Sequence, residues 1–198
     1  MSDLIKVSSV EKDSFDLTID YLLTFRCNYD CSYCTSHDVN HPPLIRSANE
    51  IIDALTFIFK HYPNKKIKLG ILGGEPFVYK YFINLVNELS NYDFLQINIV
   101  TNLSVSEKTL QKLKVRENIH IAASYHPEFS DSKDFVKKMK YLQNKGFMTF
   151  CSVSMHPDEK YLKNSLYVLE NLTGNICPNF LSSMQEPSVN VFGKSYDY

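Results

Sequence analysis

Three cysteines crowd one short stretch, Cys27-Asn28-Tyr29-Asp30-Cys31-Ser32-Tyr33-Cys34. The spacing is C-x3-C-x2-C, with an aromatic residue directly before the last thiol. Thiolates this close can hold three corners of a four-iron cluster. A [4Fe–4S] cluster normally takes four Cys ligands, and no fourth Cys is placed to complete the set. One iron is then open to a ligand that is not protein, which separates a catalytic cluster from one that only carries electrons. A different metal also suits part of the pattern. Cys31-x2-Cys34-x2-His37, with His41 close behind, has the spacing of a zinc site.

A second motif follows at Gly73-Gly74-Glu75-Pro76. Adjacent glycines let backbone approach a ligand closely, although such a pair alone is an ordinary turn before a helix. Both motifs, in this order and each after a strand-like segment, resemble the radical SAM superfamily. Its signature, C-x3-C-x-aromatic-C, is matched by Cys27, Cys31, Tyr33 and Cys34. The resemblance runs from Leu17 to Ser183 and implies a (β/α)6 partial barrel.

The resemblance also implies the cofactors. Cys27, Cys31 and Cys34 would ligate a [4Fe–4S] cluster, and S-adenosylmethionine would chelate the fourth iron through its amino and carboxylate groups. Gly73, Gly74, Glu75 and Pro76 would receive the methionyl ammonium on their backbone, with the Glu holding the turn. On that basis Gly74→Val is expected to keep the cluster and weaken cofactor binding. Tyr33 would lie beside the adenine. Thr101-Asn102 resembles a Thr-Asn pair common after the third strand. Asn102 and Ser124 are therefore candidates for polar contacts to cofactor or substrate, with His126, Ser152, Ser154 and His156 as further candidates. The implied reaction is reductive cleavage of S-adenosylmethionine to methionine and a 5′-deoxyadenosyl radical, which abstracts hydrogen from a substrate. No acid or base is needed for the first step, so no conventional catalytic residue is assigned. A one-electron donor such as flavodoxin or ferredoxin is implied. The substrate is open among small molecules, peptides and proteins.

These residues need a scaffold that brings loops to one end. The chain alternates strand-like and helix-like segments throughout. Strands are expected at Leu17–Phe25, Lys66–Leu72, Leu95–Val100, Ile119–Ser124, Phe147–Ser154 and Ile176–Ser183, with residues 1–16 as an N-terminal extension to a core of 17–198. Ser47-Ala48-Asn49-Glu50 and Ser104-Val105-Ser106-Glu107 read as capping boxes. A helix is expected from Val78 to Ser90. Phe135, Val136, Met139 and Leu142 mark another, ending at Gly146. Tyr161, Leu162, Ser165, Leu166 and Leu169 line the last. Repeated βα units predict an α/β fold with a parallel sheet and helices outside. Pro178 fits an edge strand.

Strand patterning predicts a wet interior. Ile97 and Ile99 alternate with Gln96 and Asn98; Ile119, Ile121 and Ala123 alternate with His120, Ala122 and Ser124. If the apolar face meets the helices, the polar face lines a ligand-filled cavity or pairs within itself. Two strands end alike, in Ser124-Tyr125-His126-Pro127-Glu128 and Ser154-Met155-His156-Pro157-Asp158. These read as two similar βα turns, each with an acid at a helix start. Alternatively, both His reach the site.

Composition narrows the classes. The 198 residues suit one domain, and net charge is −1. The bases are 18 Lys against 3 Arg, and no basic stripe points to nucleic acid. Five Cys, three of them clustered, are not a secreted disulfide framework. A reducing cytoplasm is expected, and no apolar run approaches a membrane span. Cys151 reads as core, and Cys177 lies on the last strand, so a single cluster is expected. The alternative in a different class is a zinc- or cluster-stabilised binding module without catalysis, or an inert relative acting as a partner protein.

Overall fold

The computed structural model describes residues 14–34 and 46–181. His37 and His41, the candidate zinc ligands, lie outside the described residues, as do most of the N-terminal extension and everything past Leu181. Six parallel strands form one open sheet in sequential order: β1 (Leu17–Thr24), β2 (Ile67–Gly73), β3 (Leu95–Thr101), β4 (Ile119–Tyr125), β5 (Met148–Met155) and β6 (Asn175–Phe180). The helices are α1 (Ala48–His61), α2 (Phe82–Leu89), α3 (Glu107–Leu110), α4 (Ser132–Asn144) and α5 (Glu159–Asn171). This is the expected α/β architecture, with one crossover per strand pair. All C-terminal strand ends therefore share one rim.

The period-2 pattern decides which face is dry. Leu95, Ile97 and Ile99 of β3 and Ile119, Ile121 and Ala123 of β4 are buried. They share one core with Ile51, Leu55 and Phe59 of α1, Leu85 and Leu89 of α2, and Phe135, Met139 and Leu142 of α4. The opposite face keeps the polar residues. Part of it pairs internally, since Nε2 of Gln96 donates to Oδ1 of Asn98 at 3.0 Å. Ser124 and Ser154, higher on that face, open into a cavity. Both expected fates of the polar face therefore occur, at different heights.

Caps explain the helix starts, with some corrections. Ser47 caps α1 in a complete box with Glu50. The box expected at Ser104 is not formed: Ser106 is the cap, its hydroxyl accepting from the Thr109 N–H, and α3 is a single turn. The helix expected from Val78 is instead a short 3-10 turn, Pro76–Val78, followed by α2. A Pro at the first position and the Glu75 carboxylate favour that tight turn. On α5 the buried stripe passes through Ser165 and Val168, while Leu166 is 42% exposed. Gly146 follows α4 at φ 90°, as a C-terminal glycine should. β6 lies at the sheet edge, pairing Pro178 with Val153, so the missing proline N–H disturbs no inner ladder. Among the described residues, no helix is long and apolar enough to cross a membrane.

Candidate active site

The cysteine loop leaves the C-terminal end of β1, where a register shift between Leu22 and Thr24 re-aims the chain. Cys27, Cys31 and Cys34 all face one cavity of about 340 Å³, a size suited to a small-molecule cofactor. The rest of its wall includes Tyr29, Tyr33, Gly73, Gly74, Asn102, Ser124, His126, Ser154, Asn179 and Leu181. Most of the expected site residues are thus brought together. Glu75 and Pro76 sit behind the wall, and Ser152 lies outside it. Among the described residues, no three Cys, His, Asp or Glu side chains converge on a single ion. The three thiols line a shared cavity, and the zinc alternative turns on His37 and His41, which lie outside the described residues.

The glycine pair is explained by packing. Gly74 N–H donates to the Thr24 carbonyl at 2.7 Å, and Glu75 N–H to the Arg26 carbonyl at 2.9 Å. β2 is thereby stitched onto the start of the cysteine loop. A Cβ on Gly73, at φ 136°, would lie 2.1 Å from the Thr24 carbonyl oxygen. A Cβ on Gly74 would lie 2.3 Å from the Arg26 oxygen and 2.9 Å from the Cys27 nitrogen. Only glycine fits either place. The consequence of Gly74→Val therefore changes: the collision falls on backbone next to Cys27, and overpacking of this kind costs about 1–3 kcal/mol or more. Lower thermal stability and deficient iron loading are expected. A variant that loads normally and loses only cofactor affinity would restore the simpler expectation.

Glu75 is fully buried and held by three donors. Its Oε1 accepts from the Thr101 hydroxyl at 2.8 Å and the Phe77 N–H at 3.1 Å, and its Oε2 from the Asn102 N–H at 2.6 Å. Burial pushes its carboxyl up, and the hydrogen bonds from Asn102, Phe77 and Thr101 oppose that. The carboxylate thus ties the ends of β2 and β3 together behind the cavity wall.

The loop after β4 clasps the cysteine loop from the other side. Glu128 accepts from the Ser32 N–H at 2.7 Å and from the Ser32 hydroxyl. His156, on the loop after β5, places Nε2 3.4 Å from the same carboxylate. Its Nδ1 accepts from the Asp158 N–H at 3.0 Å, which leaves the proton on Nε2, facing Glu128. Phe129 stacks on Tyr29 at 5.3 Å, and His126 stacks on Tyr33 at 5.9 Å. The Tyr33 hydroxyl is 3.0 Å from Nδ1 of His126. The two similar βα turns therefore diverge. Asp158 caps α5 as expected, but Glu128 serves no helix dipole and turns inward. His126 lines the cavity, whereas His156 lies outside its wall, with its ring centroid 6.2 Å from that of Tyr33. The sequence marks Glu128 only as an acid at a helix start and gives Tyr29 and Phe129 no role.

Burial dominates the local electrostatics. It pushes the Cys31 thiol up to about 12, aided by the Glu128 charge. Cys27 is also raised, mainly by burial. Burial lowers His126, which favours a neutral ring. Iron ligation requires the thiolate and releases the proton. Cys151 is buried in the core and Cys177 is exposed on β6, and neither faces the cavity.

The chain belongs to the radical SAM superfamily: the family model described as Radical SAM superfamily matches residues 21–160. Members of this family bind a [4Fe–4S] cluster and S-adenosylmethionine, and the donor set here fits that pair. GTP 3′,8-cyclase of Hydrogenovibrio crunogenus is 34% identical over 107 residues, covering 52% of this chain and 32% of the relative. GTP 3′,8-cyclase of Bradyrhizobium diazoefficiens is 32% identical over 129 residues, covering 63% and 33%. Streptococcus suis SuiB bound to S-adenosylmethionine superposes with a TM-score of 0.64 at 18% identity, covering 93% of this chain and 44% of SuiB. A structure of anSMEcpe with bound AdoMet and a peptide gives a TM-score of 0.68 at 14% identity, covering 92% and 55%. The chain spans about a third of the length of these curated relatives.

Proposed function

We propose that this chain is a radical SAM enzyme whose cluster is held by Cys27, Cys31 and Cys34. The carrying observation is that three thiols, the Gly73–Gly74 backbone and the neutral side chains of Asn102 and Ser124 face one cavity at the strand ends. With cluster and cofactor bound, the pair supplies reductive cleavage of S-adenosylmethionine to a 5′-deoxyadenosyl radical able to abstract hydrogen from a substrate. The protein's own work is to bind and orient. Cys27, Cys31 and Cys34 leave one iron without a protein ligand. Gly73 and Gly74 expose backbone to the methionyl end. Tyr33, held by His126, offers a flat face for the adenine. A low-potential one-electron donor, such as flavodoxin or ferredoxin, supplies the electron.

Substrate enters beside Ser154, His126, Asn179 and Leu181. These are neutral donors and acceptors with one apolar contact. Such a wall suits the amides of a peptide better than a triphosphate, whose usual partners are Arg and Lys. The peptide-bound neighbour adds support at the level of fold.

The test is spectroscopic. After anaerobic reconstitution, about four irons and four sulfides per chain are expected. S-adenosylmethionine should then change the electron paramagnetic resonance signal of the reduced cluster, because it gains a ligand at the open iron. A signal indifferent to the cofactor, or bound zinc in place of iron, would overturn the reading.

A further inference from the structure

The first thiol of the loop has company other than metal. Sγ of Cys27 faces two N–H groups, the backbone N of Tyr29 at 3.4 Å and Nδ2 of Asn102 at 3.7 Å. The orientation of the Asn102 amide is fixed by chemistry. Its Oδ1 accepts from the Ser104 N–H at 2.9 Å, a group that can only donate, so the amide nitrogen must point the other way. The other amide hydrogen goes to Oδ1 of Asn28 at 3.1 Å. That same oxygen accepts from the Ser104 hydroxyl at 3.2 Å. The Asn102 backbone is anchored as well, through its N–H to the buried Glu75 carboxylate. Asn102 is 6% exposed while Cys27 is exposed, so the donor amide is held in a buried position beside a solvent-facing sulfur.

We infer that Asn102 tunes the reduction potential of the cluster by donating a hydrogen bond to the Cys27 thiolate. It is thus a positioning residue for the electron-accepting step. The inference rests on the proposed reading of Cys27 as a cluster ligand. Reduction adds negative charge to a cluster and its thiolates. An N–H dipole aimed at sulfur stabilises the reduced state more than the oxidised one, and cluster potentials respond to hydrogen bonds of this kind. The amide is already held by Ser104, Asn28 and Glu75, so it need not reorganise when the charge arrives. Glu75 acquires a second task in this arrangement: it fixes the backbone from which the donor reaches Cys27. That links the glycine motif to the cysteine motif through a single residue.

The test compares reconstituted native protein with Asn102→Leu, which keeps the volume and removes the donor. Both are titrated electrochemically without S-adenosylmethionine, following the signal of the reduced cluster. With iron and sulfide matched, the variant's reduction equilibrium should fall about tenfold, a shift of about 59 mV to lower potential for a one-electron couple. A packing role would alter loading or thermal stability and leave the potential of the loaded cluster unmoved, which would overturn the inference. Should Asn102→Leu fail to load, native protein carrying ¹⁵N in its asparagine side chains decides. Pulsed resonance of the reduced cluster should then show a weak ¹⁵N coupling that survives in Asn28→Asp, and its absence would also overturn the inference. Native protein that loads no cluster at all would bring down the assignment of Cys27, and this inference with it. A loaded cluster with an unmoved potential defeats this inference alone.

Discussion

Ala at Cys27, Cys31 or Cys34 is expected to abolish assembly of an intact cluster, while Ala at Cys151 or Cys177 leaves it whole. The prediction is sharp because the five thiols divide cleanly. Three face the cavity, one is in the core, and one is exposed on the edge strand. Two remaining thiolates cannot hold the cluster, since the set already lacks the usual fourth ligand. Iron, sulfide and the visible absorbance of the reconstituted protein are the readouts. Loss of the cluster in Cys177→Ala would show that the ligand set was misassigned. Cys151→Ala tests the other side. Its small side chain lies in the core, so it should cost some stability and no iron.

The second large effect is at Glu75. Replacing it by Ala strands three donors: the Thr101 hydroxyl and the N–H groups of Asn102 and Phe77. Each unsatisfied buried donor costs about 1–3 kcal/mol, so a total of about 3–5 kcal/mol is expected after partial relaxation. In a domain of this size that lowers Tm by roughly 10 °C. Glu75→Gln should fall between, because its amide nitrogen meets donors where the carboxylate had only acceptors. Thermal unfolding followed by circular dichroism checks the order. A Glu75→Ala protein as stable as the native one would mean that the carboxylate does not hold the turn.

Much of this fold is legible in the sequence because the relevant signals are local. Period-2 alternation in Leu95–Thr101 and Ile119–Tyr125 marks half-buried strands, and Ser47 with Glu50 announces a helix start. The cysteine and glycine motifs are contiguous, so their partnership can be read before the sheet brings them together. What escaped notice depends on distance in the chain. Glu128 follows a His-Pro pair like the acid at Asp158, and nothing local distinguishes a helix cap from a carboxylate that reaches Ser32 across the rim. The collision that forbids a side chain on Gly74 involves the backbone of Arg26, which only the β1–β2 register reveals. Asn102 was readable as a polar residue after a strand, but its orientation toward Cys27 is set by Ser104 and Glu75 together. The helix expected from Val78 failed for a local reason. Glu75 and Pro76 favour a tight 3-10 turn, which delays α2 to Phe82.

The central claim is that these residues support radical initiation, and product formation tests it most directly. Native protein and Cys31→Ala are reconstituted anaerobically with iron and sulfide, reduced with dithionite and given S-adenosylmethionine. 5′-Deoxyadenosine is then quantified. Product from the native protein, with only background from Cys31→Ala, is the predicted result. A native protein with a full cluster and no product above the Cys31→Ala background would contradict the account.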